Sequence, residues 1–193
     1  PTTGLSSSTA ANPTASYSST LTYTVTATDG NGCTDTDDVV VTVNVSPTAG
    51  ITNNESGSET EITCANTGIS VTAIGGDTYS WTGGSTNASQ NFMSDGTYTV
   101  TATATNGCTA TESITITENT PTVIAEAGND FTKTCTSNPN GKAIGEANDA
   151  DYTYLWTGGL GTTSNPTANP GSTTTYTVTK THTATGCTGT DAV

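Results

Sequence analysis

Arginine is absent from this 193-residue chain, lysine occurs three times and histidine once. Against 17 acidic residues this leaves a formal net charge of -14. Such a chain cannot neutralise phosphates, so nucleic acid is excluded as a partner, and an anionic membrane surface repels it. No apolar run exceeds three residues, Val39–Val41 being one, far short of the roughly 20 residues that span a bilayer. No CxxC pair occurs and His182 stands alone, so a zinc site lacks its ligands. No nucleophile, base and orienting group stand out as a set, since serine and threonine are spread everywhere; the expectation is a non-enzymatic chain without a cofactor.

What the chain has in abundance is threonine, 50 residues of it, and repetition. Tyr-Thr-Val-Thr begins at Tyr23, Tyr98 and Tyr176, and Gly-Cys-Thr follows each time around Cys33, Cys108 and Cys187. An internal period near 75 residues makes the chain an array of similar units. The run after Trp156 matches the N-terminal run, including Asn-Pro-Thr at Asn165 and Asn12, so residue 1 falls within a unit. The expected division is 1–46, the C-terminal part of a truncated unit; 47–120, a whole unit; and 121–193, a nearly whole one. The natural protein is expected to be longer at both ends. With 31% hydrophobic residues each unit has a thin core, a size at which disulfides help.

Alternation of period two is clean. Tyr98, Val100, Ala102 and Ala104 point one way and Thr97, Thr99, Thr101 and Thr103 the other; Tyr23, Val25 and Ala27 repeat the pattern. Further strands are predicted at 69–74, 78–82, 112–117, 39–45 and 152–157, separated by Gly, Asn, Asp, Ser and Pro clusters. No segment has helical period. Six or seven short strands per unit predict an all-β antiparallel two-sheet sandwich.

The order Tyr-Ser-Trp-Thr-Gly-Gly (Tyr79–Gly84) and Tyr-Leu-Trp-Thr-Gly-Gly (Tyr154–Gly159), then Tyr-Thr-Val-Thr, then Gly-Cys-Thr and an alternating last strand, resembles the PKD-like and immunoglobulin-like repeats of large secreted surface proteins of Bacteroidetes. The stretch Ala125–Cys135 resembles the opening of those repeats. The resemblance implies tandem immunoglobulin-like sandwiches arranged as a rod, at an extracellular surface, as adhesin stalks, filaments or spacers of secreted hydrolases. One departure is that the FGDG usual after the Trp is TGGS or TGGL here, so a role attached to that Asp does not carry over. Trp81 and Trp156, in mid-strand, read as core residues between sheets, with a carbohydrate platform as the rival reading. Tyr23, Tyr98 and Tyr176 read as core or corner residues.

Each whole unit has an early cysteine (Cys64, Cys135) and a late one (Cys108, Cys187). In the immunoglobulin strand order the early cysteine lies at one pole and the late one at the other. Strands of about seven residues at roughly 3.3 Å each separate those poles by over 20 Å, whereas bridged Cα atoms lie within about 7 Å. The last strand leaves at the early-cysteine pole through linkers as short as Val-Ser-Pro (ending at Pro47) and Asn-Thr-Pro (ending at Pro121). The expected bridge therefore runs from Cys64 to Cys187 across the junction. Pairing inside each unit, Cys64 with Cys108 and Cys135 with Cys187, is the alternative. Recurrent cysteines imply an oxidising, extracellular compartment.

Two chemistries remain as weaker candidates. Asp35, Asp37 and Asp38, and Glu55, Glu59 and Glu61, are hard oxygen donors for calcium, although the units do not keep them in matching places. Asn44, Asn54 and Asn87 sit in N-x-Ser/Thr sequons. Lys133, Lys142 and Lys180 share no equivalent position, so isopeptide staples are not expected. The leading expectation is a structural segment of a secreted surface protein, an adhesin stalk or filament stiffened by disulfides and linker prolines. Its partners are neighbouring units of the same chain, further copies in filaments, or a glycan or other surface ligand. The alternative is a carbohydrate-binding or spacer module of a secreted multidomain hydrolase.

Overall fold

The computed structural model describes residues 1–193 apart from the side chain of Ser58, and its regular structure is strands with a single 3-10 turn at Ser56–Ser58. No helix is long and apolar enough to cross a membrane. The first two strands, β1 (Leu21–Thr28) and β2 (Thr34–Val41), form an antiparallel hairpin with Tyr23 opposite Val39 and Val25 opposite Asp37. Its Tyr23 is buried and donates its hydroxyl to the Thr3 carbonyl at 2.8 Å. The alternation predicted for Val25 holds in register, yet Val25 is 64% and Val39 59% exposed, because no second sheet covers that face. The second strand begins at Thr34, not at Val39 as expected, since pairing along the whole of β1 carries its acidic residues into the ladder.

The middle part is a two-sheet sandwich. One sheet has the order β3 (Gly50–Asn53), β5 (Ile69–Ile74), β7 (Ser89–Phe92); the other runs β4 (Glu61–Ile62), β9 (Thr109–Glu118), β8 (Gly96–Thr103), β6 (Thr78–Trp81). All pairings are antiparallel except that of β4 with β9. Ile69, Val71 and Ala73 of β5 and Phe92 face Trp81, Val100 and Ile116 of the opposite sheet in one apolar cluster. Removing such side chains from water is the main favourable term in folding. The threonines stand on the other face, where Thr97 meets Thr115 at 3.1 Å and Thr99 meets Ser113 at 2.8 Å across the β8–β9 ladder.

The C-terminal part has β10 (Lys142–Ala143) paired with β12 (Thr167–Ala168), and a three-stranded sheet of β11 (Tyr152–Trp156), β13 (Thr177–His182) and β14 (Thr188–Ala192), with β13 central. Ala127, Ile144, Tyr154, Trp156, Ala168, Tyr176 and Val178 form its core. Residues 121–134 run without a strand of their own, but they are bonded in place: Ala127 receives the amide of Gly145 on its carbonyl at 2.8 Å and gives its own amide to Asp191 Oδ2 at 2.8 Å.

Candidate functional site

The two Trp are 3% and 4% exposed, and each donates its indole N–H to a backbone carbonyl, Trp81 to Asn87 at 2.9 Å and Trp156 to Thr163 at 3.0 Å. Neither ring offers a face on which a sugar could stack. Tyr98 stacks on Phe92, with ring centroids 3.7 Å apart, and its hydroxyl bonds the Ser94 carbonyl four residues upstream, so it is a half-buried corner residue. Tyr176 is buried in the C-terminal core. The calcium candidates are not gathered. Asp35 and Asp37 share one face of β2 while Asp38 takes the other, and each of Asp35 and Asp37 accepts the next residue's amide. Glu55 accepts the Ser70 amide and Glu61 the Asn119 side chain. Among the described residues no group of three His, Cys, Asp or Glu is placed to hold a metal.

What the fold does bring together is Cys64 and Cys187. A disulfide joins them, with Cα atoms 4.8 Å apart at a sequence separation of 123. Cys108 and Cys135, their partners in the alternative pairing, are free, as is Cys33. Cys64 follows β4, which lies beside the end of β9; Cys187 immediately precedes β14. The cause is topological: β9 leaves the middle sandwich next to β4, so the chain enters the C-terminal part beside Cys64.

The bridge is set in a bonded joint. Ala65 N–H donates to the Thr185 carbonyl at 3.0 Å. Gly186 has φ of +69°, and a Cβ there would lie 2.7 Å from the Ala65 Cβ, so only glycine lets the two backbones approach. Thr185 and Cys187 are both fully buried. The His182 ring folds over the turn, its Nδ1 2.9 Å from Thr185 Oγ1. On the linker side, Asn119 N–H bonds the Ile62 carbonyl at 2.8 Å. Beyond Pro121 the Val123 carbonyl lies against Gly189 of β14, so closely that a Cβ there would sit 2.0 Å away. Asp191 is held below the usual carboxylate range by the Ala127 amide first and the Ala192 amide second. At the other linker the joint is lighter: Asn106 donates to the Val45 carbonyl at 3.1 Å, just before Pro47, and Cys108 beside it has no bridge. Sequence reasoning missed Ala65, Thr185 and Asp191, whose types are unremarkable; the glycine before every late cysteine was the available signal.

One further charged pair is specific to the C-terminal part. Lys180 and Glu146 contact at 2.6 Å, largely buried, with the ammonium 4.4 Å from the Tyr152 ring centroid. The Glu146 carboxylate bonds the Lys180 ammonium and holds its proton more tightly than usual, while burial, then Glu146, pushes the Tyr154 hydroxyl up. In the middle sandwich the matching residues are Gly76 and Ala102, where a Cβ on Gly76 would lie 2.9 Å from the Ala102 methyl. A small pair in one copy is thus exchanged for an ion pair in the other.

No family model matches the chain, and no curated protein does. Among solved structures, one described as bearing on host cell surface retention of a 1.5-MDa bacterial ice-binding adhesin is similar at 21% identity, over 91% of this chain and 73% of that one, with a TM-score of 0.43. A TM-score of that size does not establish a shared fold.

Proposed function

We propose that this chain is a non-enzymatic, load-bearing segment of an extracellular surface protein, a stalk or filament of tandem immunoglobulin-like sandwiches held in a fixed relative orientation. The observation that carries the proposal is the Cys64–Cys187 bridge between the two sandwiches. A disulfide inside one sandwich stabilises that sandwich; one between sandwiches removes a hinge. Tension entering through β4 passes by Cys64 and Cys187 into β14 without loading the chain between the two cysteines. The strand faces of threonine and the excess of acid suit a wet, non-adhesive shaft, and a persistent disulfide suits an oxidising exterior. The buried Trp residues leave the carbohydrate-platform reading without its aromatic surface.

Nitrogen-15 relaxation on the oxidised full chain tests the proposal. Amides of the middle and C-terminal sandwiches are expected to report one common rotational diffusion tensor. Two independent correlation times would overturn it.

A further inference from the structure

The Cys64–Cys187 bridge is unequal at its two ends. Cys64 is exposed, whereas Cys187 is 2% exposed. Cys187 is held inside its turn: its carbonyl accepts the His182 amide at 2.9 Å, its own amide donates to Thr185 Oγ1 at 3.4 Å, and Thr185 is itself buried. A thiolate that cleaves a disulfide approaches along the extension of the S–S bond and expels the far sulfur, so access decides which sulfur is attacked. At Cys187 that line of approach passes through the packed turn; at Cys64 it starts in solvent.

The contacts that close the joint are not made through sulfur. Ala65 N–H donates to the Thr185 carbonyl at 3.0 Å, and Gly186 is seated against the Ala65 methyl. With these in place Cys187 stays beside Cys64 after the S–S bond is cut, as an internal thiol at high effective concentration. The surroundings of Cys64 are anionic. Glu59 and Glu61 precede it, Glu118 is paired opposite Ile62, and the chain as a whole carries a net charge of -14.

We propose that Cys64 is a modification site for small thiols, cationic ones in preference to anionic ones, and that Cys187 reverses the modification. The incoming thiolate forms a bond to Cys64 Sγ as the bond to Cys187 breaks; the electron pair leaves on Cys187 Sγ, which takes a proton from solvent. In the reverse step the Cys187 thiolate attacks Cys64 Sγ and expels the small thiol, so the bridge returns with no oxidant consumed. A closed joint therefore reseals itself. Only separation of the sandwiches, which carries Cys187 out of reach, leaves Cys64 capped. The inference rests on reading the Cys64–Cys187 joint as a connector between sandwiches.

In the oxidised full-length chain, the free Cys33, Cys108 and Cys135 are first capped with iodoacetamide. Cysteamine is added in large excess, the reaction is stopped with N-ethylmaleimide, and the cysteine peptides are mapped by mass after cleavage at acidic residues. The expected early product carries cysteamine on Cys64 and maleimide on Cys187, in at least tenfold excess over the reverse. When cysteamine is removed before the stop, the Cys64–Cys187 peptide returns without oxidant; in urea both sulfurs are capped in comparable amounts and the return is slow. Gly186→Ala keeps Cys64 capped severalfold longer. Measured against the neutral hydroxyethyl disulfide, cysteamine opens the bridge severalfold faster than 2-mercaptoethanesulfonate, and high salt shrinks the difference. Equal capping of the two sulfurs in the folded chain, a bridge that cysteamine leaves intact, a cap that persists after the thiol is removed, or equal rates for the two thiols overturns the inference. An untreated chain whose map lacks the Cys64–Cys187 peptide fails the connector reading instead, so the two failures are distinguishable.

Discussion

Pulling the chain from its two ends reads the bridge as a length. The loop closed by Cys64 and Cys187, a sequence separation of 123, cannot extend while the disulfide is intact. At roughly 3.4 Å per extended residue, that loop hides about 420 Å of contour, against only 4.8 Å between its bridged Cα atoms. Single-molecule force spectroscopy of the oxidised chain is therefore expected to release only the length outside the bridge. Adding a thiol reductant under load then yields one extra extension of about 420 Å. Pairing within the middle sandwich, Cys64 with Cys108, would hide roughly 150 Å instead. Release of the whole contour without reductant, or a hidden length near 150 Å, refutes the reasoning.

Gly186→Ala forces a side chain into the left-handed region against Ala65, which costs about 1–3 kcal/mol; the reduction rate of the Cys64–Cys187 bridge by dithiothreitol is expected to rise about tenfold or more. Asp191 has its folded pKa depressed by the Ala127 and Ala192 amides, so its contribution to stability is present above the unfolded carboxylate pKa and is lost as pH falls through the lower folded value. Carbon-13 titration of its carboxyl should show a midpoint below that of ordinary aspartates, and Asp191→Asn should flatten the acid limb of the C-terminal sandwich's stability curve. Glu146→Gln leaves Lys180 largely buried without its counter-charge and is expected to cost about 1–3 kcal/mol in urea unfolding. The double change Glu146→Gly with Lys180→Ala, which restores the pair of the middle sandwich, should recover much of that loss; additive losses would contradict the pairing.

The strands that alternate most cleanly were the most legible. In β8, Val100 and Ala102 are buried and their threonine neighbours face solvent, because period-two patterning maps directly onto the two faces of a sheet. The acidic strand β2 was only half legible: Asp35, Asp37 and Asp38 carry no strand signal of their own, and β1 imposes the structure on them by pairing. Residues 121–134 carry no strand signal and form no strand. They pack where the middle part has strands, but bond through single amides and the Asp191 carboxylate, which no local pattern announces. For the joint, the positions of the cysteines and the shortness of the linkers were readable, since both follow from spacing. The approach of Ala65, Thr185 and Gly186 was not, because it exists only between two folded bodies.

The claim at the centre of this account is that the chain's disulfide lies between sandwiches and not inside one. Mass-spectrometric mapping of the unreduced, thiol-blocked protein tests it most directly. The account predicts a peptide joining Cys64 to Cys187, with Cys108 and Cys135 of the monomer recovered as blocked thiols. A peptide joining Cys64 to Cys108, or Cys135 to Cys187, would contradict it.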